Sequence, residues 1–285
     1  MSAWGDVRGI GSLASLTKNS GNVQSSGFVN GGDHGVMSKT INRLGVSRRW
    51  FIAAGGTAVL DARRRLASAQ SRICEVKWVG ASRDVVRGDL TPRISLESLM
   101  PVNHLYAVGP PEGLRGEITI IDSQPYVSRI EDGRIVIDQS FRHRALFLVW
   151  VDVEAWRQIP VPRAVRTYRD VETFVAAAAG DAGLDTTRPF PFLLQGTVAR
   201  LGFHIFNKGD DAPHSPEAHE RIKVKFAVED VAAEMIGFWS DKHEGIFIPS
   251  GRTAHLHFRT SDTTMTGHVD ELELRSGSVL ALPRV

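Results

Sequence analysis

With 285 residues, 42% of them hydrophobic and 23% charged, the chain has an ordinary globular composition and enough apolar material for a substantial core, which excludes a wholly disordered or fibrous chain. Its 34 basic and 32 acidic residues leave a net charge of +2, so nothing in the overall charge points to nucleic acid or to an anionic membrane surface. The single cysteine, Cys74, excludes an intrachain disulfide framework and a cysteine-rich metal site.

Gly, Ser and Asn dominate Met1 to Asn42 without any amphipathic period, and residues 1–36 read as a disordered extension. Ser47-Arg48-Arg49-Trp50-Phe51-Ile52 then leads into the apolar Ala53 to Leu60, and Ala67-Ser68-Ala69 has the small residues of a cleavage site. Residues 37–70 thus resemble a twin-arginine export signal, with Met37 as the start and Lys39, Arg43, Arg48 and Arg49 as its basic region. The expected location is the periplasm or the exterior. Asp61 and the basic run Arg63-Arg64-Arg65 stand where a signal stays neutral, and they keep open the alternative of a buried helix start in a cytoplasmic protein. No apolar run approaches the roughly 20 residues of a membrane-spanning helix, so no membrane span is expected.

From Arg72 onward strands dominate. Ile73 to Gly80 alternates weakly, and Ile118 to Ile121 and Arg134 to Ile137 have the β-branched bias of sheet, with a turn at Glu131-Asp132-Gly133-Arg134. A short helix is expected near Leu96. Ala145 to Val153 is apolar at nearly every position, as a strand buried on both faces would be. Asp170 to Gly180 is the clearest helix, with acids in its first turn and a terminal glycine. The Arg188-Pro189-Phe190-Pro191 stretch divides the chain into a sheet-and-helix half over residues 71–188 and a second sheet over 189–285. The second half contains strands at Phe192 to Ala199, Ile222 to Val228, Ala232 to Trp239 and Leu280 to Leu282. The polar loop from Lys208 to Glu220 is expected at the surface, positioned to hang over a site. The fold class is α/β in the broad sense (α+β), with two mixed or antiparallel sheets and few helices.

The chemistry concentrates in His255-Leu256-His257 and in His268, eleven residues after His257. Successive strand side chains alternate faces, so His255 and His257 project from one side. Ser261-Asp262-Thr263-Thr264 reads as a turn, and the strand returning from Gly267 brings His268 alongside. Three neutral imidazoles with one open position describe a catalytic zinc site, although imidazole also suits copper, iron and nickel. Against this stands the ordinary fate of a strand histidine, which is to be hydrogen-bonded or exposed.

These residues carry a resemblance to the acetolactate decarboxylases, zinc enzymes that convert 2-acetolactate to acetoin and carbon dioxide. Gly113-Leu114-Arg115-Gly116-Glu117-Ile118 resembles the family's L-x-G-E block, followed by Tyr126; Ile236-Gly237-Phe238-Trp239 resembles its G-F-W element. Ala254-His255-Leu256-His257-Phe258, Ser261-Asp262 and Gly267-His268-Val269 are similar to its metal block. Over about residues 73 to 283 the resemblance implies an acetolactate decarboxylase-like two-sheet fold, Zn2+ held by His255, His257 and His268, Glu117 as an acid/base group, and a small 2-hydroxy-3-keto acid as substrate.

The chain departs from the family pattern at the usual arginine, where His204 stands, with Arg200 as the candidate substitute. Pro213-His214 replaces a Pro-Tyr pair, and the family's glutamate-bearing tail has no counterpart before Val285. A guanidinium clamps a carboxylate with two parallel hydrogen bonds and an imidazole does not, so a substrate other than acetolactate is one expectation. A metal- or ligand-binding protein without turnover is a second reading. A different zinc enzyme, such as a hydrolase using His204, His214 or His219, is a third. A homodimer is left open.

Overall fold

The computed structural model describes residues 75–209 and 213–284, all within one compact unit. The extension over 1–36, the export-signal segment over 37–70 and Cys74 lie outside the described residues.

In chain order the strands and helices are β1 (Lys77–Val79), α1 (Ser82–Val86), β2 (Ile94–Ser95), β3 (Leu105–Gly109), β4 (Arg115–Ile121), β5 (Gln124–Glu131), β6 (Arg134–Asp138), β7 (Arg144–Ala145), β8 (Leu148–Asp152) and β9 (Trp156–Pro160). They continue as α2 (Tyr168–Asp181), β10 (Phe190–Asn207), α3 (Pro216–Arg221), β11 (Lys223–Trp239), β12 (Ala254–Thr260), β13 (Thr266–Leu274) and β14 (Val279–Pro283). All the strand ladders are antiparallel and helices are few, as the composition of the strands led one to expect.

Two large groups of strands form, beside the separate β2–β7 pair. In the first, β1, β8, β3, β4, β5 and β6 pair in that order. The hairpins β4–β5 and β5–β6 turn on Asp122-Ser123 and Asp132-Gly133, each pair at positive φ, the backbone that matches strand twist across a two-residue loop. In the second, β10, β11, β12 and β13 pair in order and β13 returns to β10, closing a ring; β14 and β9 extend it. The two groups meet where the end of β10 pairs with the start of β4, at Phe206–Gly116 and Asn207–Arg115. Gly116 has φ +133°, and a Cβ there would lie 2.0 Å from the Ser128 carbonyl oxygen, so only glycine lets β4 begin here and hold Glu117 against β10.

Three local expectations resolve differently. Ala145 to Val153 is interrupted, because Leu146 and Phe147 leave the ladder between β7 and β8 while remaining buried. The two strands expected over Ile222 to Trp239 are one, β11, whose irregularity is absorbed at Asp230 with φ +53°. The helix near Leu96 is a single 3-10 turn, Leu96–Leu99.

Helix α2 is capped by Thr167 and Asp170, each side chain bonding the other's backbone. Its face of Tyr168, Val171, Val175 and Ala179 packs with Phe190, Leu194, Ala254 and Leu256 of the second group. A fully buried valine such as Val175 stabilises by about 1.5–3 kcal/mol. The same helix anchors the start of β12: Glu172 accepts hydrogen bonds from the Thr253 and Ala254 N–H groups, and the Tyr168 hydroxyl donates to the Ala254 carbonyl. The residue that follows is His255.

Candidate active site

Strand register brings the histidines together. His257 on β12 lies directly opposite His268 on β13, and His268 lies directly opposite His204 on β10, so three neighbouring strands present three imidazoles in a row. His255 is two residues along β12 on the face of His257. Its Nε2 lies 3.1 Å from Nε2 of His257. The ligand atoms of His255, His257 and His268 all lie within 4.8 Å of one another, and His204, His268 and Asp270 form an overlapping group.

The tautomer of His257 follows from its partners. Nδ1 meets the Thr119 hydroxyl at 3.1 Å; the Thr119 and Thr266 hydroxyls are 3.0 Å apart, and Thr266 donates to the Phe258 carbonyl. A carbonyl only accepts, so the hydrogens of this buried chain run toward Phe258, Nδ1 carries the ring hydrogen and Nε2 keeps its lone pair. Burial, reinforced by the neighbouring imidazoles, holds His255 and His257 well below the ordinary histidine range, which keeps both neutral and able to ligate. Two nitrogens on one tetrahedral zinc ion at about 2.0–2.1 Å each are about 3.3 Å apart, close to the separation found here, and the donor set fits a borderline-soft divalent ion.

Glu117 enters from β4 and is 1% exposed. Its Oε1 has no hydrogen-bond partner and lies 3.7 Å from His204 Nε2, itself unpartnered; its Oε2 lies 3.7 Å from His257 Nε2. Burial, then the charge of Asp270, pushes the Glu117 carboxyl well above its ordinary range. His204 Nδ1 donates to Asp270 at 2.9 Å, while burial and then His268 push its imidazole down to about 3. Burial pushes Asp270 up, but the hydrogen bond from His204 and the His268 imidazole 3.5 Å away outweigh it and hold the carboxyl well below the usual range.

Asp270 is the site residue that motif reading passed over. In the β10–β13 register Gly202 faces Glu271 and Phe203 faces Val269, so Asp270 is the extra residue of a β-bulge, which turns its carboxylate onto His204. The spacing His268-Val269-Asp270 repeats that of His255-Leu256-His257, and was the available signal.

These groups open onto a cavity of about 640 Å³, lined by Glu117, His204, His255, His268 and Asp270 on its inner wall. Arg200 is not brought there. It is exposed and sits opposite Glu229 and Glu273 on the neighbouring strands, four residues or about 13 Å along β10 from His204. In the Lys208 to Glu220 stretch, Ser215 caps α3 with Pro216 in its first turn, and Pro216, His219 and Glu220 line the cavity. His214 pairs with His219 at 3.2 Å.

Fold and site together describe an antiparallel β-protein with a buried histidine cluster that can hold a metal. The alpha-acetolactate decarboxylase profile matches residues 105–282, and the chain belongs to that family. Family and fold point to a carboxy-lyase acting on a small molecule. A search of the curated proteins finds no match. Among solved structures, alpha-acetolactate decarboxylase from Bacillus subtilis strain 168 is 16% identical with a TM-score of 0.59, covering 74% of this chain and 86% of that one. Acetolactate decarboxylase from Bacillus subtilis subspecies spizizenii gives 16%, 0.60, 74% and 86%. A Staphylococcus aureus protein of unknown function, similar to alpha-acetolactate decarboxylase, gives 14%, 0.61, 72% and 84%. Among the described residues no helix is long and apolar enough to cross a membrane.

Proposed function

We propose that the protein is a zinc-dependent decarboxylase that converts 2-acetolactate, or a related 2-hydroxy-3-keto acid, to the hydroxy ketone and carbon dioxide. One observation carries this reading: His255, His257 and His268 converge within ligand distance beside the buried Glu117 carboxyl, and His255, His268 and Glu117 line one cavity. His255, His257 and His268 would hold the metal, which when bound supplies Lewis acidity toward the substrate's hydroxyl and keto oxygens.

Glu117 is placed to carry a proton, since its pocket favours the neutral acid and Oε1 is uncommitted. As the bond to the carboxylate breaks and carbon dioxide leaves, the electron pair stays with the substrate, and Glu117 delivers its proton to that carbon from one face. His204 is oriented by Asp270 with its Nε2 lone pair toward Glu117 Oε1, so it positions the carboxyl and relays a replacement proton. The test is metal content together with carbon dioxide release from racemic acetolactate. Stoichiometric zinc with acetoin formation is expected; His257→Ala should abolish metal content, and a chain with no metal would overturn the reading.

A metal-binding protein without turnover is the second reading, favoured by the position of Arg200 outside the cavity; zinc without carbon dioxide release would support it. Export through the twin-arginine motif is proposed as well. Changing Arg48 and Arg49 to Lys should retain the chain inside the cell, and unchanged recovery outside would refute it.

A further inference from the structure

The cavity is larger than a five-carbon hydroxy-keto acid requires. Its volume of about 640 Å³ falls in the range of roughly 300–1,000 Å³ that holds drug-sized ligands. Beyond the inner wall that bears Glu117 and the histidines, the lining turns apolar at Val85, Val86, Phe247 and Pro249. Arg83 and Arg87, four residues apart on and just after α1, are both exposed and line the same cavity beside these apolar residues.

Four basic side chains line the space, and two of them are committed. Lys223 pairs with Glu220, while Arg252 donates to the Asp270 carbonyl, lies 3.9 Å from Glu172 and stacks on Tyr168. Arg83 and Arg87 have no side-chain hydrogen bond or ion pair among the described residues. Of the exposed acidic groups lining the cavity, Glu220 is paired with Lys223 and Glu244 turns its carboxylate to Ser250 and the Gly251 N–H. An unpaired surface arginine is ordinary. Two at i and i+4, lining one cavity with apolar residues and a buried polar cluster, have the makings of a subsite for a second anion on a ligand.

We propose that the substrate carries a second anionic group, a carboxylate or a phosphate, on an apolar spacer, and that Arg83 and Arg87 bind it while the 2-hydroxy-3-keto acid end reacts at the inner wall. The assignment of the reacting end rests on the decarboxylase reading. The distal subsite has a test that needs no turnover. Calorimetric titration of the full chain, with and without one equivalent of zinc, compares 2-hydroxybutyrate, 2-hydroxyglutarate and 3-phosphoglycerate. None of these can lose carbon dioxide as a keto acid does, so a failed decarboxylase assay leaves the binding result readable.

At least one of the two probes with a second anionic group should bind about tenfold more tightly than 2-hydroxybutyrate, a modest factor because the arginines are exposed. The tighter of the two identifies carboxylate or phosphate as the distal group. In R83Q/R87Q, checked by its melting temperature, the preference should collapse to near equality, with each single variant intermediate. Equal binding of all three probes by the native chain, or a preference that survives in the double variant, would overturn the proposal.

Discussion

The two ends of β10 are buried to the same depth and built from opposite chemistry. At one end Phe192, Leu193 and Leu194 are 0–4% exposed, offer no polar side-chain atoms and sit in the apolar core. The Phe192 ring lies so close over Gly237 that a Cβ there would be 2.3 Å from it. At the other end His204, 2% exposed, faces Asp270 and Glu117. Both ends pair with β11 throughout. Depth alone therefore does not separate a core from a site. What separates them is that the polar end leaves Glu117 Oε1 and His204 Nε2 buried without partners, a desolvation cost that an apolar core avoids and that a bound metal and substrate would relieve.

That contrast can be broken by exchange of roles. Phe192→Ala should remove about 3–5 kcal/mol of stability, read as a lowered denaturation midpoint, while the remaining folded fraction keeps its metal content. Glu117→Gln should do the reverse, with turnover falling by about 100-fold or more and the melting temperature nearly unchanged. A Glu117→Gln variant that unfolds while turning over normally would erase the distinction between the two ends.

Smaller effects would sharpen the picture around the candidate metal site. Thr119→Val removes the acceptor of His257 Nδ1, and zinc affinity measured by competition with a chelator should fall by about 10- to 100-fold. Asp270→Asn keeps the shape but weakens the hold on His204; its effect should appear in kcat rather than KM, because His204 acts on Glu117 and not on substrate binding. An equal loss in both parameters would assign Asp270 a general structural role.

How much was legible follows from how local each feature is. Helix α2 could be read because its capping box, acidic first turn and apolar spacing are all contained within about fifteen residues. The pairing of His255 with His257 on one face follows from the pleat alone, and the Ser261 to Thr264 turn from its own side chains, Asp262 bonding both the backbone and hydroxyl of Thr264. Arg200 and His204 were both placed at the site by motif position. Four residues of strand separate them, enough to put one on the surface and the other in the cavity.

The sequence by itself determined the strand-rich class, the turn at Asp132-Gly133, the main helix and the placement of His255 and His257 on one face of their strand, because each rests on the conformational preferences of adjacent residues. Only the tertiary structure decided that β13 returns to β10, that the bulge at Asp270 aims a carboxylate at His204, and that Glu117 from the other strand group lies 3.7 Å from both His204 and His257. Those arrangements depend on register between strands far apart in the chain, and a one-residue slip in any of the ladders would send these side chains to the opposite face.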